Sequence, residues 1–337
     1  MASNSAVPVE GFGTGAVRSG LPHDQGTGAL AENICLSTTF QQLRAGKPTG
    51  SYIYSRSRNL NRPATSAVLQ GLAVNSHVLS IASLYGGTHR YFTRLGASLE
   101  ITVTYTNAIE LDAANLVQEN TTLLWIETPS NPTLFLVEIE AVTKVAHEKG
   151  VLVDVLMGAL AFNSQELEEK ISFIRNAGGG VPSPFDCWLA HRGIKTLHLR
   201  AAACSTSALT ISRFLQSSKH VLSVNYPGLF SHPHHHIALK QHRKGLHGGV
   251  ISFRIKGGMN VALKFCETSR YFTLAESLGG IESLCEVPAV MTHNGMRKEV
   301  RENSGVFDDM IRVSVGIEDV GDLVRDLEET LEKVAAS

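Results

Sequence analysis

Residues 121–127 read TTLLWIE, a continuous apolar stretch that stops at a Pro-Ser-Asn-Pro turn. A run without polar alternation offers no side to solvent. It therefore predicts a strand buried on both faces, as in a parallel sheet covered by helices. Short β runs at 77–81 and 100–105 precede it, and 151–153 begins another. Between them, 137–149 places Ile139, Val142 and Ala146 on one helical face, and Gly150 supplies a stop. This alternation predicts an α/β layer with a parallel sheet, where ligands gather at the carboxyl ends of strands.

The pattern changes after about residue 196. Runs at 221–225 and 250–255 are strand-like, and helical segments separate them. The last helix carries Leu323, Leu327, Leu331 and Val334 at near-fourfold spacing with charges between them, predicting a smaller α+β domain. Residues 1–50, rich in Gly, Ser and Thr, predict an extended arm. The expected organisation is an arm at 1–50, a large α/β domain at 51–199 and a C-terminal α+β domain at 200–337.

Composition narrows the function classes. With 337 residues, 43% hydrophobic and 18% charged, the chain is long enough for two globular domains. A net charge of −1 gives no basic excess for nucleic acid and no acidic tail. No apolar run reaches membrane-spanning length, and the N-terminus MASNSAVPVEGF has neither a basic start nor an apolar core. The five cysteines are scattered without a Cys-x-x-Cys pair, which predicts reduced thiols in a cytoplasmic protein. His232, His234, His235 and His236 flank Pro233. Neighbouring histidines do not converge on one helix face, so a solvated loop or helix start is expected there, and no metal site.

Six strings carry a resemblance. They are YIYSRSRNLNR at 52–62, LYGGTHRYF at 84–92, ETPSNPT at 127–133, PSPFDCWLAHRGIKTLHLR at 182–200, FTLAESLGGIESLCEVPAVMTH at 272–293, and SGVFDDMIRVSVGIED at 304–319. In this order, along nearly the whole chain, they resemble the cystathionine γ-lyase branch of the Cys/Met-metabolism pyridoxal-phosphate family. The resemblance implies the aspartate-aminotransferase-like architecture (fold type I): a large domain with a mostly parallel sheet and a smaller C-terminal domain. It also implies pyridoxal 5'-phosphate as cofactor, a small sulfur amino acid as substrate, and a family of homotetramers. The implied reaction belongs to transsulfuration and cysteine biosynthesis: cystathionine is cleaved to cysteine, 2-oxobutanoate and ammonia. A cystathionine γ-synthase or β-lyase of the same family is the alternative.

The family's tasks map onto particular residues. Tyr54 and Arg56 match a motif that reaches a neighbouring subunit's cofactor phosphate, a task suited to a guanidinium fork and a hydroxyl. Tyr85 matches the side chain that stacks on the cofactor ring, with Gly86 and Gly87 allowing a tight turn. Asn131 matches a position near the ring, and Glu127 one at the end of a central strand. Arg312 matches the binder of the substrate carboxylate; on an apolar strand an arginine needs a partner in any case. Ser277, Leu278 and Thr292 match positions around substrate and cofactor, and Glu276 one associated with side-chain choice. Read alone, these residues are turns, caps and ordinary ion pairs.

Two family blocks have no counterpart. After Arg62-Pro63 the text passes directly to ATSAVLQGL, without the Ser-Gly loop that cradles phosphate at a helix N-terminus. After 151–153 comes DVLMGALAFNSQ, without the S-x-T-K-Y segment that supplies the Schiff-base lysine. Asp154 matches both the aspartate that pairs with the pyridine nitrogen and the aspartate beyond the lysine motif. Lys144 lies on an amphipathic helix four residues after Glu140, where a solvent-facing pair is expected. Lys195 falls in a string outside the Schiff-base role. The expectation is a family member without turnover as written, or a pseudoenzyme subunit assembled with intact relatives.

Overall fold

The computed structural model describes residues 41–45, 47–48, 72–107, 109, 115–148, 152–155, 165–177 and 196–336. All of them belong to one compact unit, Thr39–Ser337. Tyr54, Arg56, Lys195, Cys35 and Cys187 lie outside the described residues. Within the stretch expected to be an extended arm, β1 (Gln42–Arg44) pairs antiparallel with β2 (Lys47–Pro48), so this part is a hairpin.

The first large sheet contains β3 (His77–Ile81), β4 (Thr102–Thr106), β5 (Thr121–Ile126) and β6 (Leu152–Val155). Among the described residues it is four-stranded and parallel, in the order β4-β3-β5-β6. Its central strands are mostly apolar because both faces are covered. Val78, Leu79, Leu124, Trp125 and Ile126 are completely buried. Phe92 meets Trp125 edge to face, with centroids 5.3 Å apart. Of the polar residues there, Ser80 donates to the Ile81 carbonyl at 3.1 Å, and His77 has its Nδ1 2.7 Å from Thr121 Oγ1 and its Nε2 2.9 Å from Thr104 Oγ1. Burial pushes its pKa down, so a neutral ring joins three adjacent strands.

Some boundaries differ from the sequence expectation. Glu100 is outside β4, at a positive φ of 56°. The helix expected at 137–149 is Ile139–Glu148. Val142 is buried, but Ile139 is 38% exposed, because it opens the helix and its N–H is donated to Gln241 Oε1 at 2.9 Å. Lys144 is exposed, and Glu140 lies 3.3 Å from Lys240 Nζ, so the expected pairing with Lys144 is replaced by a longer-range one.

With α1 (Gly86–Tyr91), the described helices continue as α2 (Ile139–Glu148), α3 (Gln165–Ala177) and α4 (Leu197–Ser217). They are followed by α5 (His235–Gln241), α6 (Met259–Thr268), α7 (Lys298–Asn303) and α8 (Val320–Ala335). The second sheet adds β7 (Val221–Asn225), β8 (Val250–Ile255), β9 (Thr273–Leu274), β10 (Leu284–Glu286) and β11 (Met310–Ser314). Its order is β7-β8-β11-β10-β9, antiparallel except for β9 with β10. Asp319 caps α8 by accepting the Gly321 N–H at 2.9 Å. Leu323, Leu327, Leu331 and Val334 then enter the same core as Ile251, Phe253, Ile311 and Val313. Burying each such leucine contributes about 1.5–3 kcal/mol.

His235 opens α5, in agreement with a helix start, but the cluster is not uniformly solvated. His232 is 4% exposed and its Nδ1 accepts the His234 N–H at 3.1 Å. Burial, together with His234, pushes its pKa down to about 4. Among the described residues no group of three or more His, Cys, Asp or Glu could hold a metal ion. No described helix is long and apolar enough to cross a membrane. Cys204, Cys266 and Cys285 are free thiols.

Candidate functional site

The carboxyl ends of β3 and β5 meet the second sheet at a polar cluster. After β3 the chain turns at Tyr85 into α1, leaving the first N–H groups of that helix without intrahelical partners. Glu127, just beyond β5, sits at this helix start. Its Oε2 accepts the Tyr85 N–H at 2.7 Å and its Oε1 accepts the Thr88 hydroxyl at 2.8 Å. Trp125 Nε1 donates to the same Oε1 at 3.4 Å. Burial raises the Glu127 pKa, and these three donors oppose that rise.

Glycine is required at the turn. A Cβ on Gly86 would stand 2.2 Å from the Thr292 carbonyl oxygen, and one on Gly87 would stand 2.3 Å from Tyr85 Cε1. The backbone at Thr292 therefore approaches the start of α1 closely, and the Tyr85 ring lies over Gly87.

The turn after Glu127 is closed by Ser130. Its N–H donates to the Phe135 carbonyl at 2.9 Å, and its carbonyl accepts the Leu134 N–H at 2.8 Å. The Thr128–Pro129 and Asn131–Pro132 peptides are cis. Asn131 in this turn faces Arg312, whose Nη1 donates to Asn131 Oδ1 at 2.9 Å.

Arg312 lies on β11, directly opposite Glu286 on β10. Its Nη1 is 3.0 Å from Glu286 Oε1, and its Nη2 donates to the Ser277 carbonyl at 2.6 Å. Ser277 holds that carbonyl in place at a positive φ of 101°. Arg312 is 2% exposed and Glu286 is fully buried. Burial pushes the Glu286 carboxyl up to about 7, while Arg312 pulls it down and Glu276 pushes it further up. Glu276 is itself raised by burial, against Arg312 and Arg90. Among the described residues, Glu286 Oε2 and Arg312 Nε are buried without a hydrogen-bond partner.

The structure thus brings together Tyr85 with Glu127, and Asn131, Ser277 and Arg312 with one another. Thr292 joins through Glu286, donating to its Oε1 at 3.0 Å. Leu278 is 45% exposed. Of Asp154 only the backbone is described, opposite Trp125 in the β5–β6 register. Sequence reasoning missed Glu286, His293, Thr88 and Trp125. A carboxylate inside the apolar string SLCEVPA was the available signal for Glu286.

Such an arrangement can orient a carboxylate at a guanidinium beside a rigid aromatic turn. The comparisons agree in direction. The family model for Cys/Met metabolism PLP-dependent enzymes matches residues 62–155 and 152–332. Cystathionine γ-lyase of Saccharomyces cerevisiae is 44% identical over 384 aligned positions, covering 96% of this chain and 97% of that protein. Cystathionine β-lyase of Lactococcus lactis is 38% identical, covering 95% and 98%. The crystal structure of cystathionine γ-synthase from Xanthomonas oryzae pv. oryzae with cystathionine matches with a TM-score of 0.76 at 31% identity, covering 96% of this chain and 98% of that one. With its fold type I α/β architecture, the chain belongs to the Cys/Met-metabolism family of pyridoxal-phosphate-dependent enzymes.

Proposed function

We propose that this chain is a cystathionine γ-lyase-type protein of transsulfuration that retains the substrate-carboxylate end of its site and lacks turnover as written. One juxtaposition carries the reading. Arg312 is gripped by Asn131, Ser277 and Glu286, while the link from β6 to α3, residues 156–164, reads LMGALAFNS and contains no lysine.

Pyridoxal phosphate, implied by the family, supplies an electron sink for carbanion chemistry at the substrate's α-carbon when bound. The described residues fit its neighbourhood in part. Tyr85 offers a ring at the mouth of β3, and Asn131 and Arg312 offer polar contacts. They do not fit covalent attachment, because the amine is missing from its expected place. Two features support a missing block. The family matches overlap at 152–155, and the alignment to the yeast relative spans 384 positions against 337 residues here.

In this reading the residues present bind and orient. The Arg312 fork receives the α-carboxylate, and Asn131 and Glu286 hold its plane. Glu127 fixes the Tyr85 backbone so that the ring has one position. Thr292 acts through Glu286, Glu276 biases side-chain choice, and the family resemblance assigns Tyr54 and Arg56, which lie outside the described residues, to a neighbour's phosphate. That last role also serves a subunit in a mixed oligomer with intact relatives. A γ-synthase or β-lyase activity is the alternative, since relatives of both names match.

The test is to purify the chain from a host lacking its relatives, supply pyridoxal phosphate and cystathionine, and follow 2-oxobutanoate and ammonia. The expected result is background release, and sustained release would overturn the reading. Sequencing the mature transcript across 62–65 and 153–156 decides whether the blocks exist in the natural message.

A further inference from the structure

A chain of buried groups runs through this site beyond the substrate contacts. Thr292 Oγ1 lies 3.0 Å from Glu286 Oε1 and 3.0 Å from His293 Nδ1. His293 Nε2 lies 3.3 Å from the carbonyl oxygen of Leu84, the residue before Tyr85. Glu286 and His293 are 0% and 2% exposed, so solvent does not complete their hydrogen bonds.

Counting protons restricts the states of this chain. A threonine hydroxyl has one proton, and a neutral imidazole has one N–H. With Glu286 ionised, its Oε1 only accepts, so Thr292 donates to it and His293 donates from Nδ1. The bare Nε2 then faces the Leu84 carbonyl, and two acceptors oppose each other in a buried place. With a proton on Glu286 Oε1, the directions reverse. Glu286 donates to Thr292, Thr292 donates to His293 Nδ1, and His293 Nε2–H donates to Leu84. Every contact is then satisfied, at the cost of one proton taken from solvent. The imidazole exchanges its Nδ1 proton for one on Nε2 in the same change. A doubly protonated His293 would also satisfy the chain. Burial, Arg312, Arg301 and His89 oppose that charge and hold the pKa down at about 4, against the Leu84 carbonyl.

We propose that Glu286 and His293 are positioning residues joined by the Thr292 hydroxyl into a proton relay, in which protonation of Glu286 sets the tautomer of His293 and couples Arg312 to the turn that carries Tyr85. The charged groups around the relay are defined on each side. Arg312 and Glu276 face Glu286, Arg90 faces Glu276, and Arg301, His89 and Arg312 face His293. When the relay is short of a proton, the shorter Nδ1 contact persists and the longer Nε2 contact to Leu84 is released. Deprotonation at Glu286 therefore loosens the turn at Leu84, 209 residues from His293 in sequence.

The experiment uses the ligand-free chain with 15N-labelled histidine, read between about pH 5 and 8, where ordinary imidazoles also titrate. His293 is assigned by loss of its resonances in His293→Gln. The expected result is an Nε2–H tautomer at the acid end, giving way to Nδ1–H as pH passes about 7, the value to which Glu286 is raised. In Thr292→Val, and separately in Glu286→Gln, the tautomer no longer changes with pH. A single tautomer in the natural chain throughout, a ring that becomes doubly protonated in this range, or a Thr292→Val ring that still switches would each overturn the relay. With His293 assigned, the titration of the unsubstituted chain decides the matter even if Thr292→Val or Glu286→Gln does not fold. It reads no turnover, so its failure is distinct from failure of the proposed function.

Discussion

The two large sheets solve burial in opposite ways. In the first, the polar side chains on parallel β3 and β5 carry no formal charge (Ser80, Thr121, Thr122 and His77), and the buried His77 is kept neutral between two threonines. In the second, β10 and β11 place a full ion pair, Glu286 with Arg312, inside a sheet whose other buried positions are aliphatic, aromatic, cysteine or serine. Desolvating two charges costs several kcal/mol per ion, and good geometry with extra hydrogen bonds must offset it. Arg312 has that geometry through Asn131 and Ser277, whereas Glu286 leaves one oxygen unpartnered among the described residues. The first sheet is built for packing. The second gives up some packing to hold a charge pair.

The contrast breaks most sharply at Arg312. Replacing it in Arg312→Leu strands Glu286 as a buried carboxylate and costs roughly 3–5 kcal/mol at neutral pH. Denaturant midpoints measure this, and adding Glu286→Leu recovers most of the loss if the cost is the stranded charge. A loss below about 1 kcal/mol in Arg312→Leu would mean that the pair contributes no more than an exposed one.

A second test uses pH. The folded pKa of Glu286 is raised to about 7, so between the ordinary carboxylate value and about 7 the folded state holds a proton that the unfolded state has lost. Its contribution is therefore fully present below the ordinary value and is lost as pH rises through about 7, with a slope of up to about 1.4 kcal/mol per unit. His293, lowered to about 4, has the opposite sign: its contribution is present above 6.5 and is lost as pH falls through about 4. The two slopes nearly cancel where they overlap. Glu286→Gln removes one of them, so its stability rises with pH across that overlap while that of the unsubstituted chain stays flatter. Parallel curves for the two proteins would remove Glu286 from the account.

The smallest expected effect is at a helix end. Asp319→Ala removes the α8 cap and costs about 0.5–2 kcal/mol. A loss confined to the first turn's hydrogen-exchange protection, with no change in global unfolding, would show that the second sheet does not depend on α8 being tightly started.

Much of this contrast was legible from residue order. TTLLWIE announced a parallel strand because covering both faces leaves no place for a polar residue, and Leu323, Leu327, Leu331 and Val334 announced α8 by spacing alone. The short β9 and β10, reading TL and LCE, carry too few residues for any period, and their strand character comes from long-range pairing. Arg312 could be singled out as an arginine in need of a partner, but the partner's identity required the β10–β11 register. Thr292 was chosen as a family position, and its actual contacts, Glu286 and His293, come from the turn that brings its backbone against Gly86. Ile139 and His232 went the other way, because exposure at a helix end and burial of a histidine beside Phe135 depend on neighbours distant in sequence.

The hydrogen bond from Arg312 to Asn131 spans 181 residues. At about 5–20 residues per second on the ribosome, Asn131 is synthesised roughly 10–40 s before its partner exists. During that interval the Asn131 turn and the ends of β3 and β5 stand beside a nascent chain that cannot yet cover them. A molecule that must wait so long to close its own site depends on what shelters those strand ends during synthesis, and its yield in the cell is set there as much as by the stability of the finished fold.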